Sequence, residues 1–389
     1  MFVVLGVLGV ALQLEKLSIH NFRNLRQVSL GDLREFNFIH GINGSGKTSI
    51  LEAIHTLALT RSFRSRKIDG VISYGCEDLI VRGELSPSPA TTNTPNTIIG
   101  VRRPKKGAVL VKVNGEKLLT AGQLAGVMPV QVINPASFEL LEGSPSVRRQ
   151  YLDWGVFHVK HSGFFEYWPR YRKALQQRNS LLRRGNIDAS LLAPWDRELE
   201  AMGVLIHEAR LKHFALLSSA FDLIYGRLLS ALDVGQDQKD APPLTIAMTA
   251  GWKDEELSLA ESLQKNLASD LRSGFTKSGP HRADIDLRVG RNAAGDVLSR
   301  GQIKTVVCAL KLAQSKVLLD QGISTVFLID DLAAELDERR CEMVFKELVA
   351  LNVQVFASSV RRTDLNDSWS LGKTLKRFHV EHGQVSECC

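Results

Sequence analysis

Apolar positions in LEKLSIHNFRNLRQVSL, residues 14–30, fall into two short runs on either side of Asn21 to Asn24, which predicts two strands joined by a turn. FNFIHG (36–41) reads as a buried strand entering a glycine-rich turn. TSILEAIHTLAL (48–59) then carries apolar residues at helical spacing, so the local order is strand, loop, helix. LIVRGEL, TIIGVRR and AVLVKVNG predict further strands, and SPSPATTNTPN between the first two has too much Pro, Ser, Thr and Asn for regular structure. PVQVINPASFELL closes this portion. From about Ser146 to Gly274 helical spacing dominates, as in YWPRYRKALQQRNSLLRRG and WDRELEAMGVLIHEARLKHFALLSSAFDLIYGRLL, with heptads too brief for an extended coiled coil. Strand patterns return at ADIDLRVG, TVFLIDD and VQVFASSV, and a helix starts at LSRGQ. There is no internal repeat. The pattern predicts an α/β protein with a discontinuous lobe, 14–145 and 275–389, and a mostly helical inserted lobe, 146–274.

Composition narrows this picture only moderately. A chain of 389 residues accommodates two domains, and 44% hydrophobic with 23% charged residues is a globular balance. A formal net charge of +7 favours polyanionic partners. The five cysteines, Cys76, Cys308, Cys341, Cys388 and Cys389, show neither metal-ligand spacing nor a disulfide framework, so a reducing, cytoplasmic setting is expected. MFVVLGVLGVAL at the N-terminus is too short to span a bilayer and lacks a basic leading region. Residues 1–13 therefore read as an upstream extension or an extra buried strand, and no membrane partner is expected.

The chemistry begins at GINGSGKT, residues Gly41, Ile42, Asn43, Gly44, Ser45, Gly46, Lys47 and Thr48, a full GxxxxGK[ST] match placed between a strand and a helix. Backbone N–H groups there would cradle the phosphates of ATP, Lys47 would bridge the β- and γ-phosphates, and Thr48 would ligate Mg²⁺. TVFLIDD supplies the partner: Asp330 at the strand end would hold the Mg²⁺ shell, and Asp331 would orient or deprotonate water. Downstream, Ser299, Arg300, Gly301 and Gln302 open a helix. Hydroxyl, N–H and positive helix end would there form a second phosphate receptor; the plain alternative is a serine N-cap with a tolerated glycine.

Phosphate loop, insertion, LSRGQ helix and Asp-terminated strand, in this order, resemble the ATP-binding-cassette ATPases, in the branch that includes the chromosome-maintenance and DNA-repair ATPases. Within it the chain is similar to the bacterial RecF family of recombination mediators, through NFRN, GINGSGKTSILEAIHTL, TRSFR, VINPASFELLEG, RRQYLDWGVFH, SGPHRADI, LSRGQIKTVVCALKLAQ, LIDDLAAELD and VQVFASSV, from about Leu14 to Val385. The resemblance implies a head-to-head dimer glued by ATP, with Ser299, Gly301 and Gln302 of one subunit facing the γ-phosphate held by the other. It also implies a weak, DNA-stimulated ATPase that aids recombinase loading at gaps and stalled forks, with RecR and RecO as partners. Gln131 is the candidate glutamine that senses Mg²⁺ and water, unless it is an outward strand residue. Arg23 resembles a nucleotide-side arginine, with a surface arginine as the alternative. Asp331 stands where the wider superfamily has Glu, and Ser358 and Ser359 where many members have His, which implies slow hydrolysis.

Basic clusters make DNA the leading polyanion: Arg61, Arg64, Arg66 and Lys67; Arg102, Arg103, Lys105 and Lys106; and Arg170, Arg172, Lys173, Arg178, Arg183 and Arg184 in the insertion. For each cluster alone a solvated face is the competing reading. His281 and Arg282 in SGPHRADI suggest a structural or interface role rather than catalysis. The main rival function, a transporter's nucleotide-binding subunit, predicts a shorter chain with Glu and His at the positions above.

Overall fold

Near-continuous apolar runs form the centre of the computed structural model, which describes residues 12–65, 67–87, 95–118, 121–159, 163–185, 188–230 and 243–388. Residues 1–11, Arg66, residues 88–94 and Cys389 lie outside that set, and with them most of the N-terminal apolar run. The chain divides into two compact units, 1–137 with 223–233 and 304–389, and 138–222 with 234–303.

The first unit holds two six-stranded sheets. One is antiparallel, in the order Leu25–Leu30, Leu12–Phe22, Asp78–Pro87, Thr97–Pro104, Leu110–Val113 and Glu116–Lys117. The other runs Gln384–Cys388, Leu375–Glu381, Phe36–His40, Gln354–Ser359, Val326–Asp330 and Val130–Ile133, parallel except for the terminal hairpin. Parallel strands are covered on both faces and so read as unbroken apolar runs. Accordingly Phe36, Phe38, Phe327, Leu328, Ile329, Val355 and Phe356 are buried. Register places Ser359 beside His40 and Ser358 beside Asp330, which gathers the strand ends on one edge. The helix Lys47–Leu59 inserts Ile50, Ile54 and Leu57 into one core with Leu17 and Val81 of the first sheet and Leu328 and Phe356 of the second.

The second unit contains the helices Pro145–His158, Phe164–Leu182 and Leu259–Ser273, and most of Ala193–Ser230. It is less uniformly helical than the sequence pattern suggests. Leu244–Thr249 is a strand, paired antiparallel with Asp284–Val289, which pairs in turn with Asn292–Ala293. Alternation over LTIAMT is only six residues long, so periodicity alone did not separate it from its helical surroundings. That pairing also draws residues 275–303 into the second unit, although the sequence placed them in the nucleotide-binding lobe. Buried ion pairs tie this unit together: Arg178 to Asp270 at 2.7 Å and Asp196 at 2.6 Å, and Arg210 to Asp153 at 2.8 Å.

Candidate nucleotide site

Gly41 begins the phosphate loop where a side chain has no room, since a Cβ would lie 2.2 Å from the Val380 carbonyl oxygen. Gly46, at φ 123°, ends it against Asn24 and Leu25. Asn24 clamps the loop from outside, donating through Nδ2 to the carbonyls of Ser45 (2.8 Å) and Gly44 (3.3 Å) and accepting from Ser49 Oγ (3.0 Å). Lys47 Nζ donates to the carbonyls of Gly41 (2.6 Å) and Ile42 (3.0 Å), so its ammonium lies across the loop mouth. Burial lowers its pKa, against the raising influence of Asp331 and Asp330.

Thr48 Oγ1 and Ser358 Oγ both donate to Asp330 Oδ1, at 2.9 and 2.7 Å. Next to them Asp331 adopts φ 56° and donates its N–H to Ser358 Oγ (3.2 Å). Burial, followed by the charge of Asp330, raises the Asp331 pKa, with Lys47 opposing. A hydroxyl and a carboxylate at the end of a phosphate loop form a hard-oxygen donor set that suits Mg²⁺, and Ser45 Oγ is a buried, unpartnered polar atom in the same loop. The structure thus assembles Lys47, Thr48, Asp330 and Asp331, and adds Ser358 and Asn24. Asn24 stood unassigned in the quoted NFRN; nothing in the pattern showed that it would meet the loop.

Two residues assigned to this site from the sequence lie elsewhere. Gln131 is buried mid-strand opposite Phe327, three residues short of Asp330, or about 10 Å before the strand end. Its Nε2 donates to Gln314 Oε1 (2.8 Å) and its Oε1 accepts from Lys311 Nζ (3.3 Å), so it packs inside the unit and does not join the cluster. Arg23, in the left-handed region at φ 51°, is half-buried, and its guanidinium is engaged away from the loop. Its guanidinium grips fully buried Glu52, which also accepts from Ser62, and donates to the Gly70 carbonyl (3.0 Å).

The plain N-cap reading of Ser299 is met locally. Its N–H donates to Gln302 Oε1 (2.8 Å) and its Oγ accepts from the Gln302 N–H (3.4 Å), a reciprocal capping box opening the helix Arg300–Leu319. Ser299 and Arg300 are exposed and Gly301 is half-buried. Within the first unit, Lys304 pairs with the Glu335 carboxylate (2.7 Å) and donates to its carbonyl (2.6 Å), which fixes the AAELD segment.

The chain matches the family model "RecF/RecN/SMC N terminal domain" over residues 13–386. It is 41% identical over 378 residues to the DNA replication and repair protein RecF of Pseudomonas entomophila (strain L48), covering 97% of this chain and 98% of the relative. The chain belongs to the RecF family. The RecF of Stutzerimonas stutzeri (strain A1501) is 40% identical, again over 97% of this chain and 98% of the relative. Among solved structures, a recombination mediator RecF in its ATP form superposes with a TM-score of 0.81 at 28% identity, covering 98% of both chains. The ATPrS form gives 0.82 at 27%, covering 98% of this chain and 99% of the other. An Smc head bound to a ScpA domain shares the fold at 15% identity, with a TM-score of 0.56 and 96% and 97% of the two chains covered. The α/β head with a mostly helical inserted lobe, expected from the sequence, is therefore the fold of this family and of the Smc heads.

The basic candidates separate under the same inspection. Arg102 pairs with Asp78 (2.6 Å), Lys105 reaches Glu77 (4.0 Å) and Arg103 donates to the Thr60 carbonyl. Arg61, Arg64, Lys67 and Lys106 are exposed, with no ion pair among the described residues. In the insertion, Arg178 is fully buried and Arg170 pairs with Glu198 (2.8 Å), whereas Arg172, Lys173, Arg183 and Arg184 stay exposed. His281 is structural: Nε2 meets only the Thr276 carbonyl (3.0 Å) and so carries the proton, while Nδ1 accepts from the Tyr171 hydroxyl (2.7 Å). No helix among the described residues is long and apolar enough to cross a membrane.

Proposed function

We propose that this chain is an ATP-dependent DNA clamp of recombinational repair. The observation that carries the reading is the convergence of Lys47, Thr48, Asp330 and Asp331 at the mouth of one phosphate loop. Backbone N–H groups of the loop and Lys47 bind the phosphates, with Lys47 Nζ exchanging its contacts to the Gly41 and Ile42 carbonyls for phosphate oxygens. Thr48 and Asp330 would hold Mg²⁺, whose charge would offset that of the terminal phosphates. Asp331, its pKa raised by burial beside Asp330, accepts a proton from water. Its short side chain and the use of Ser358 to hold Asp330 suit slow, DNA-stimulated turnover.

Two copies bind head to head, the Ser299 to Gln302 segment of each facing the terminal phosphate in the other, and enclose duplex DNA near gap junctions. Hydrolysis releases it. The solved relatives are described as recombination mediators of the RecFOR pathway, which supports RecR and RecO as partners and recombinase loading as the outcome. The transporter reading has no support, since the similar proteins are named for DNA replication and repair.

Light scattering with and without ATP·Mg²⁺ tests the assembly. The expected result is a doubling of mass for the wild type and none for Ser299→Arg. Unchanged wild-type mass at concentrations where ATP binds would remove the shared-site mechanism.

A further inference from the structure

Phe275 is 39% exposed, and two cations lie close to its ring. The Arg282 guanidinium lies over its ring at 5.1 Å from the centroid, and Lys277 Nζ lies at 5.9 Å. One exposed phenylalanine is unremarkable in itself. The anchoring of this one is not. Thr276 and Ser278, its neighbours along the chain, are buried, and Thr276 donates through both N and Oγ1 to Asn179 Oδ1 at 2.8 and 2.7 Å. Arg178 Nη1 donates to Thr276 Oγ1 (2.9 Å), Lys277 N donates to Asp270 Oδ1 (3.1 Å), and His281 holds the Thr276 carbonyl. The fully buried Arg178–Asp270 pair therefore fixes a short segment whose outward side chains are one aromatic ring and two cations.

The surroundings extend the same chemistry. Asn179 and Arg183 end a shallow groove along the helix Phe164–Leu182 that also includes Trp168, Arg172 and Lys173, and the aliphatic stem of Arg183 packs on Gly274 beside Phe275. Arg172, Lys173, Arg183 and Arg282 are exposed without an ion pair among the described residues, so the groove carries uncompensated positive charge. From Trp168 to Arg183 it spans about 22 Å along the helix.

A row of cations serves any phosphate backbone, but an exposed ring stacked with a guanidinium forms a planar, apolar and cationic surface that suits an unstacked base. Duplex DNA keeps its bases stacked, so it presents phosphates and groove edges but no free base face. We infer that this face of the second unit is a binding site for single-stranded nucleic acid, with Phe275 and Arg282 stacking an unpaired base and Arg172, Lys173 and Arg183 following the backbone. The inference rests on the DNA-clamp reading and specifies which part of a gapped substrate this unit contacts. A pre-anchored segment stacks a base with little ordering cost, which gives the buried Arg178–Asp270 pair a purpose beyond stability.

The test is fluorescence anisotropy with labelled oligothymidylate and a blunt duplex of equal length, on wild type, Phe275→Ala, Phe275→Trp and Arg282→Ala, at one salt concentration with ATP·Mg²⁺. Expected are a loss of about tenfold in single-strand affinity for Phe275→Ala, retention for Phe275→Trp, and duplex affinity unchanged within about twofold. Equal losses on both probes would reduce the site to phosphate contact and overturn the inference. So would unaltered binding of Phe275→Ala to both probes. Wild-type protein that binds neither probe would instead remove the DNA-clamp reading itself.

Discussion

Thr48 Oγ1 donates to Asp330 Oδ1 across 2.9 Å, joining a phosphate loop to a strand end 282 residues away. The bond holds the Asp330 carboxylate at the loop. Thr48→Val removes the bond and, in the proposed reading, a Mg²⁺ ligand. Mg²⁺-dependent ATP affinity should fall about 10–100-fold while the fold persists, read by nucleotide titration at several Mg²⁺ concentrations.

Burial and the charge of Asp330 raise the Asp331 pKa above its ordinary value. A base works deprotonated, so the acidic limb of the hydrolysis profile should lie higher than for an ordinary aspartate, with rate lost as pH falls through it. Asp331→Asn should cut turnover by about 10²–10⁴-fold and abolish that limb, leaving ATP binding in place. Persistence of the limb in the variant would assign it to another group.

Gln131 belongs to the interior, where it bonds Gln314 and Lys311. Gln131→Leu should cost about 1–3 kcal/mol of unfolding free energy in urea titration, the penalty of disturbing a buried polar pair. Turnover should stay within about twofold of wild type. A selective collapse of turnover would restore the glutamine to the catalytic set.

Glu52 is fully buried and its charge is matched by Arg23. Arg23→Ala leaves that carboxylate without its guanidinium and should destabilise by about 3–5 kcal/mol. Arg23→Ala combined with Glu52→Gln should recover much of the loss, which a nucleotide-contact role for Arg23 would not predict.

His213 is buried with neither ring nitrogen hydrogen-bonded, and burial, followed by His158, lowers its pKa to about 4. The unfolded value is about 6.5, so protons bind the unfolded chain first. The stability contributed by neutral His213 is complete above about pH 6.5 and drains away as pH falls towards 4. His213→Leu should remove about 3 kcal/mol of the acid-induced loss between those limits, seen in urea midpoints measured across pH.

The helix-and-strand order around GINGSGKT and TVFLIDD was legible because each element is specified by local pattern: unbroken apolar runs for covered parallel strands and glycines where the loop meets Val380 and Asn24. The meeting of Lys47, Thr48, Asp330 and Asp331 at one loop followed, since strand ends and a loop before a helix have predictable places on a parallel sheet. Arg23, Gln131 and Arg178 were not legible. An arginine looks the same in sequence whether it meets a phosphate or a buried Glu52 or Asp270, and a strand glutamine's role turns on a shift of a few residues in register.

By itself the sequence determined the family, the nucleotide-binding loop and its acidic partner, because these depend on residue type at short spacing. Tertiary structure alone decided which cations among the described residues lack an ion pair, that residues 275–303 join the second unit through the strand Asp284–Val289, and that Phe275 stands exposed with Lys277 and Arg282 close to its ring. Those outcomes depend on partners far away along the chain, and long-range pairing leaves no local periodicity to read.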